Sequence, residues 1–140
     1  MYKLKYIAQT QETECGLCCV AMMLNYFGCD LLPREMKESQ EIGRDGMSLQ
    51  QMMNILKDYN MEADIYEAGI NRLSDILHFP LILYWENSHF VILKKIKNKK
   101  YYITDPGLGE VVLNRNEFIE KYSNLALVSK PGLNFKKKVN

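Results

Sequence analysis

Cys15 follows Glu14 directly and opens the most apolar stretch of the chain, CGLCCVAMMLNYF at 15–27. If that stretch is a helix, its first thiol meets unpaired backbone N–H groups and the positive end of the macrodipole, and both stabilise a thiolate. A thiol nucleophile needs an imidazole, and the sequence offers only His78 and His89. His78, beside Phe79-Pro80, reads as a partly exposed turn residue with no chemical task. His89 opens HFVIL, just after the tight segment ENS. A lone strand histidine is most often structural; what sets this one apart is Asp105 at the end of KYYITD. If 89–96 and 100–105 pair as a hairpin around a turn at 97–99, the start of one lies opposite the end of the other. His89 and Asp105 then become cross-strand neighbours, with Cβ atoms about 5 Å apart. Pro106 biases Asp105 towards extended backbone. Acyl transfer also requires a preorganised donor for the oxyanion. Gln9 and Gln11 both lie just upstream of Cys15, and spacing alone does not choose between them. Cys18, Cys19 and Cys29 read as small core residues.

These residues need a scaffold. The chain reads as an extended lead-in at 2–8, then a helix from Cys15 to Phe27 closed by Gly28. Leu17, Val20, Ala21 and Leu24 form one apolar face, and Cys19, Met23 and Phe27 fill the other. A helix apolar all round is a buried one. A short helix is expected at 34–39. GRDGMSLQQMMNIL at 43–56 starts another, with Ser48 and Gln51 as a capping box and Met47 and Met52 as its hydrophobic staple. A strand at 62–67 and a helical piece at 71–77 follow. Strands are then expected at 81–85, 89–96, 100–104 and 111–113, a helix at 117–122 and a last strand at 125–129. The expected class is α+β: an N-terminal helical half, with its central buried helix, packed on a C-terminal antiparallel sheet. Residues 1–130 read as one domain, and 131–140 as a linker.

Composition narrows the function. With 18 Lys and Arg against 17 Asp and Glu, the net charge is +1, which gives no electrostatic reason to bind nucleic acid. No apolar run approaches the about 20 residues of a membrane span. The N-terminus lacks the features of a secretory signal, so the four cysteines are expected to be free thiols. Two other chemistries compete. Cys15 and Cys18 form a CGLC that suits a thioredoxin-like redox centre, with Pro80 in the part of its cis-proline, but QTQETE precedes it where such a centre has a buried strand. Zinc would need Cys15, Cys18, Cys29 and a histidine at no recognised spacing, so no metal is expected. A non-catalytic docking module would share the fold but lack the reactive residues, all of which are filled here.

Taken in order, several segments carry a resemblance: Gln9, ETECG with Cys15 six residues after the glutamine, GRDGMSL at 43–49, YWENSHFVIL at 84–93 and ITDPGLGEV at 103–111. Over about residues 5–130 the chain resembles the N-terminal cysteine peptidase domain of peptidase-containing ABC transporters, which process bacteriocins and lanthipeptides. The resemblance implies a papain-like fold in which Cys15, His89 and Asp105 form the catalytic triad, with Gln9 rather than Gln11 as the oxyanion residue. It implies precursor substrates whose amphipathic helical leader ends in Gly-Gly or Gly-Ala, with cleavage after that pair. A cleft too narrow for a Cβ follows, with Trp85 in its wall and Gly16 and Ser88 also contacting substrate. Two departures stand out: Ser88 occupies a position where Asn is frequent, and Cys18-Cys19 replaces small residues. The peptidase domain is expected to need no cofactor. By the same resemblance the chain continues past Asn140 into transmembrane and ATPase domains, where ATP is used. Lys136, Lys137 and Lys138 would lie at the cytoplasmic face of a bacterial membrane. The isolated domain is expected to be a soluble monomer, and the complete transporter a homodimer.

Overall fold

The computed structural model describes residues 3–37, 46–76 and 78–138. A 3-10 turn, Glu12–Glu14, leads into helix α1, Cys15–Tyr26, and every residue from Cys15 to Leu24 is buried. The all-round apolar pattern of α1 therefore has its physical counterpart in a helix enclosed on all sides. It ends at Gly28, whose φ of +105° is open to glycine at little cost. Helix α2, Pro33–Lys37, begins on a proline suited to a first helical position; the expected extension to Ser39 lies outside the described residues. Helix α3, Leu49–Asp58, is capped as its sequence predicts. Ser48 Oγ accepts from the Gln51 N–H at 3.2 Å, and Gln51 Oε1 accepts from the Ser48 N–H at 2.9 Å. Met47 and Met52 are both buried beside that cap, whereas residues 43–45 of the same segment are not among those described.

Strands β1 (Met61–Glu67), β2 (Leu81–Trp85), β3 (His89–Lys97), β4 (Lys100–Asp105), β5 (Gly109–Asn114) and β6 (Tyr122–Pro131) form one antiparallel sheet in the order β1-β6-β2-β3-β4-β5. The last strand thus closes the sheet against the first, and β2 is entered through a cis Phe79–Pro80 bond. Alternation along the strands feeds two cores. Ile82, Phe90, Ile92 and Leu127 pack with α1, α2 and α3 on one face. Leu81, Leu83, Trp85, Val91 and Leu93 face the other side, with Leu73 of helix α4 (Ile70–Leu73) and Phe118 of helix α5 (Arg115–Lys121). Helix α4 is shorter than expected, and Leu77 lies outside the described residues. Helix α5 starts two residues before its expected position because Asn114 and Glu117 form a capping box, with both bonds at 2.9 Å. Tyr122, expected to be helical, begins β6.

Two departures from the expected chain path bear on function. The first is the register of β3 and β4. The hairpin turns at Asn98 and Lys99, both at positive φ, and pairs Lys97 with Lys100. Between Leu93 and Lys95 the register slips by one residue, so that Leu93 meets Ile103 and Ile92 meets Thr104. The paired residues end at Ile92 and Thr104, so His89 and Asp105 lie just beyond them at the same end of the two strands. The second departure is the tail. Residues 132–138, read as a linker, lie back along the domain. The Gly132 N–H donates to Asn60 O at 2.9 Å, and Phe135 packs on the helical-side core. Lys138 pairs with Cys29 through bonds of 2.7 Å to the Asp30 N–H and 3.0 Å to Gly28 O, and its ammonium lies 3.5 Å from Glu35.

Candidate active site

The start of α1, the start of β3 and the end of β4 meet at one end of the strands. Asp105, 5% exposed, sits at the last position of β4, where its Oδ1 accepts from the Gly107 N–H at 2.8 Å and lies 2.7 Å from His89 Nε2. The Cys15 thiol lies beside the His89 ring and helps raise its pKa. With Nε2 taken by Asp105, Nδ1 is the nitrogen left to exchange a proton with sulfur. The structure thus brings Cys15, His89 and Asp105 together at one place. The turn before His89 is fixed from outside: Glu86 and Asn87 take positive φ, the Glu86 N–H donates to Lys121 O at 2.7 Å, and the Asn87 N–H donates to Ser123 Oγ at 2.9 Å.

Burial by itself lowers the His89 pKa, but the hydrogen bond to Asp105 and the neighbouring Cys15 thiol outweigh it and push the ring up to about 10. Burial likewise raises Asp105, and the bonds from His89 and the Gly107 N–H reverse that and hold its carboxyl below the usual range. The imidazolium–carboxylate form is therefore the stable one across neutral pH. The other thiols are poorly placed to ionise. Burial first, then the Glu14 charge, pushes Cys18 up to about 12, and burial drives Cys19 well above its ordinary value. All four cysteines are buried and free.

A cleft of about 850 Å³ opens beside this triad, lined by residues that include Gln9, Thr13, Tyr84, Ser88, His89 and Phe90. Gln9 belongs to the cleft and Gln11 is exposed, a distinction that spacing did not make. Ser88 is brought to the wall as expected. Trp85 is not: it is 3% exposed on the opposite face, edge-on to Phe118 at 5.4 Å. Alternation within β2 gives the cleft to Tyr84 instead, a signal present in the sequence but assigned to the wrong neighbour. Gly16 also lies off the wall. A Cβ there would meet Met52 Sδ at 3.2 Å and Met47 Cβ at 3.3 Å, so its bareness serves the approach of α1 to α3. His78 is exposed and apart from the site. The chain enters α1 from a 3-10 turn and not from a strand, which leaves the CGLC redox reading without the upstream element it needs.

Residues 3–134 match the profile of the peptidase C39 family. The lacticin-481/lactococcin-DR transport/processing ATP-binding protein of Lactococcus lactis subsp. lactis is 30% identical over 139 residues, covering 96% of this chain and 20% of that protein. A probable microcin-H47 secretion/processing ATP-binding protein of Escherichia coli is 31% identical over 129 residues, with coverages of 92% and 18%. The chain therefore spans roughly a fifth of the length of these curated relatives. Among solved structures, a double glycine motif protease from an AMS/PCAT transporter, crystallised with the leader peptide, superposes with a TM-score of 0.88 at 31% identity over 93% of each chain. The peptidase domain of Streptococcus ComA shares the fold, with a TM-score of 0.84 at 18% identity over 92% of this chain and 99% of that one.

Proposed function

The chain belongs to the peptidase C39 family, and from that membership we propose that it cuts precursor peptides after a Gly-Gly or Gly-Ala pair at the end of their leader, as one domain of a transporter that exports the remainder. The observation that carries this reading is His89 held at 2.7 Å by Asp105, with the Cys15 thiol beside its ring. The Cys15 thiolate, paired with the His89 imidazolium, attacks the carbonyl of the second small residue. Gln9 and the Cys15 backbone N–H receive the oxyanion. His89 gives its proton to the leaving amine, a tetrahedral intermediate collapses to the thioester, and water, deprotonated by the same imidazole, releases the leader. Asp105 keeps the ring oriented throughout. No step calls on a metal or cofactor; ATP would act in a separate ATPase domain.

The amphipathic leader helix is expected to seat apolar side chains spaced i, i+3, i+4 and i+7 against the domain. Among the described residues no helix is long and apolar enough to cross a membrane. Membrane attachment, the cytoplasmic placement and the homodimeric transporter are assigned to further transporter domains on the strength of the relatives, of whose length this chain covers about a fifth. Specificity is the test. Precursors with Gly-Gly, Gly-Ala, Ala-Val or Val-Val before the cut are incubated with the protein and read by mass spectrometry. Cleavage restricted to the first two supports the reading; equal cleavage of Val-Val overturns the small-residue assignment.

A further inference from the structure

The residues between Gln9 and Cys15 fold into a turn whose shape depends on one side chain. The Glu14 carboxylate accepts from the Thr10 N–H at 3.0 Å, from the Gln11 N–H at 3.2 Å and from the Thr10 hydroxyl. The Glu14 N–H in turn donates to Gln11 O at 3.1 Å. The other end of the segment is tied to β4. The Gln9 N–H and the Tyr6 hydroxyl both donate at 3.0 Å to Pro106 O, one residue beyond Asp105. The Gln9 backbone is thus tied to Pro106, just past the strand that carries Asp105, while the two residues that follow Gln9 are tied to Glu14, which adjoins Cys15.

We propose that Glu14 is a positioning residue for the oxyanion hole, setting the Gln9 amide against the Cys15 sulfur without touching substrate. The proposal rests on the reading of Gln9 as the oxyanion donor. An ionised carboxylate suits the place because it is acceptor-only and has room for several donors, and charge-assisted bonds are about twice as strong as neutral ones. Its charge is not what the site requires, since a negative group next to a thiolate nucleophile opposes it and also helps push up Cys18. Its geometry is. Loss of the three acceptor contacts frees the Thr10–Gln11 peptide and lets the Gln9 amide swing, and a misplacement of about 1 Å in a catalytic group can cost ~10²-fold in rate.

The test separates oxyanion chemistry from thiol chemistry. Cleavage of a Gly-Gly precursor and alkylation by iodoacetamide are measured for wild type, Glu14→Ala, Glu14→Gln, Gln9→Ala and the Gln9→Ala/Glu14→Ala double variant. Alkylation passes through no oxyanion, so it reports only on the Cys15–His89 pair. Expected are a kcat for Glu14→Ala lower by about 10- to 100-fold with KM within about twofold, and an alkylation rate close to wild type. Glu14→Gln, which keeps one acceptor oxygen, is expected to recover most of the lost rate. Adding Glu14→Ala to Gln9→Ala should cost little more, because both act on one donor. Wild-type kcat in Glu14→Ala, a matching fall in its alkylation rate, or full additivity with Gln9→Ala would each overturn the proposal. A Gln9→Ala variant with undiminished kcat would instead remove the reading beneath it. If Glu14→Ala does not fold, Glu14→Gln and Glu14→Asp decide: kcat unchanged in both overturns the proposal, and a loss confined to the shortened Asp supports it.

Discussion

His89 holds its two partners at once, and its chemistry at neutral pH follows from that. Its pKa is raised in the folded protein, up to about 10. Its contribution to stability is therefore full below the ordinary histidine value of about 6.5 and is lost as pH rises through about 10. Asp105 is lowered, so its contribution is present above the ordinary carboxylate range and is lost as pH falls through its lower folded value. Denaturant midpoints followed against pH are expected to show an alkaline decline in wild type, between about pH 6.5 and 10, that is diminished in His89→Ala; identical profiles would contradict the pairing. The oxyanion donor gives a second prediction at this scale. Gln9→Ala should lower kcat by ~10²–10³, and Gln11→Ala should leave it near wild type; equal losses would mean that the cleft-facing position of Gln9 does not matter. The reactive residues were readable because their types are rare in this chain and fall at strand and helix ends. The supporting ones were not: Glu14 has no local mark that ties it to Thr10 and Gln11, and which of Tyr84 and Trp85 faces the cleft depends on the face each takes on its strand.

The scaffold elements differ in how plainly they announce themselves. Helix α1, the Ser48–Gln51 cap and the Asn98–Lys99 turn each follow from local chemistry, and the structure has them where the residues predict. The slip between Leu93 and Lys95 has no such mark, since a bulged residue within LKKIK carries neither glycine nor proline. The approach of α1 to α3 is equally silent, because a glycine inside a helix reads as a weak point until its neighbours are known. Here those neighbours are Met47 and Met52, within 3.3 Å of where a Cβ would sit. Gly16→Val should accordingly destabilise the domain by ~1–3 kcal/mol, the usual cost of overpacking, and slow cleavage by displacing the start of α1. An unchanged denaturation midpoint would show that the two helices can part without cost.

At the scale of the whole molecule, a papain-like α+β domain is completed by contacts distant in sequence. The first strand is closed by the last, and the tail is laid along the C-terminal end of the helix that carries Cys15. Neither contact has a local signature, so the tail reads from sequence as a spacer. Truncation after Pro131 is expected to lower the melting temperature through loss of the Phe135 packing and the Lys138 bridge, while cleavage persists at low temperature because the proposed catalytic positions all precede it. An unaltered melting temperature would return the tail to the status of a free linker. The account as a whole stands on one thiol. Incubating a Gly-Gly precursor with wild type, Cys15→Ala, Cys18→Ala and Cys29→Ala, and following the leader by mass spectrometry, tests it most directly. The predicted result is no leader released by Cys15→Ala and most of the wild-type rate for the other two; substantial cleavage by Cys15→Ala would contradict it.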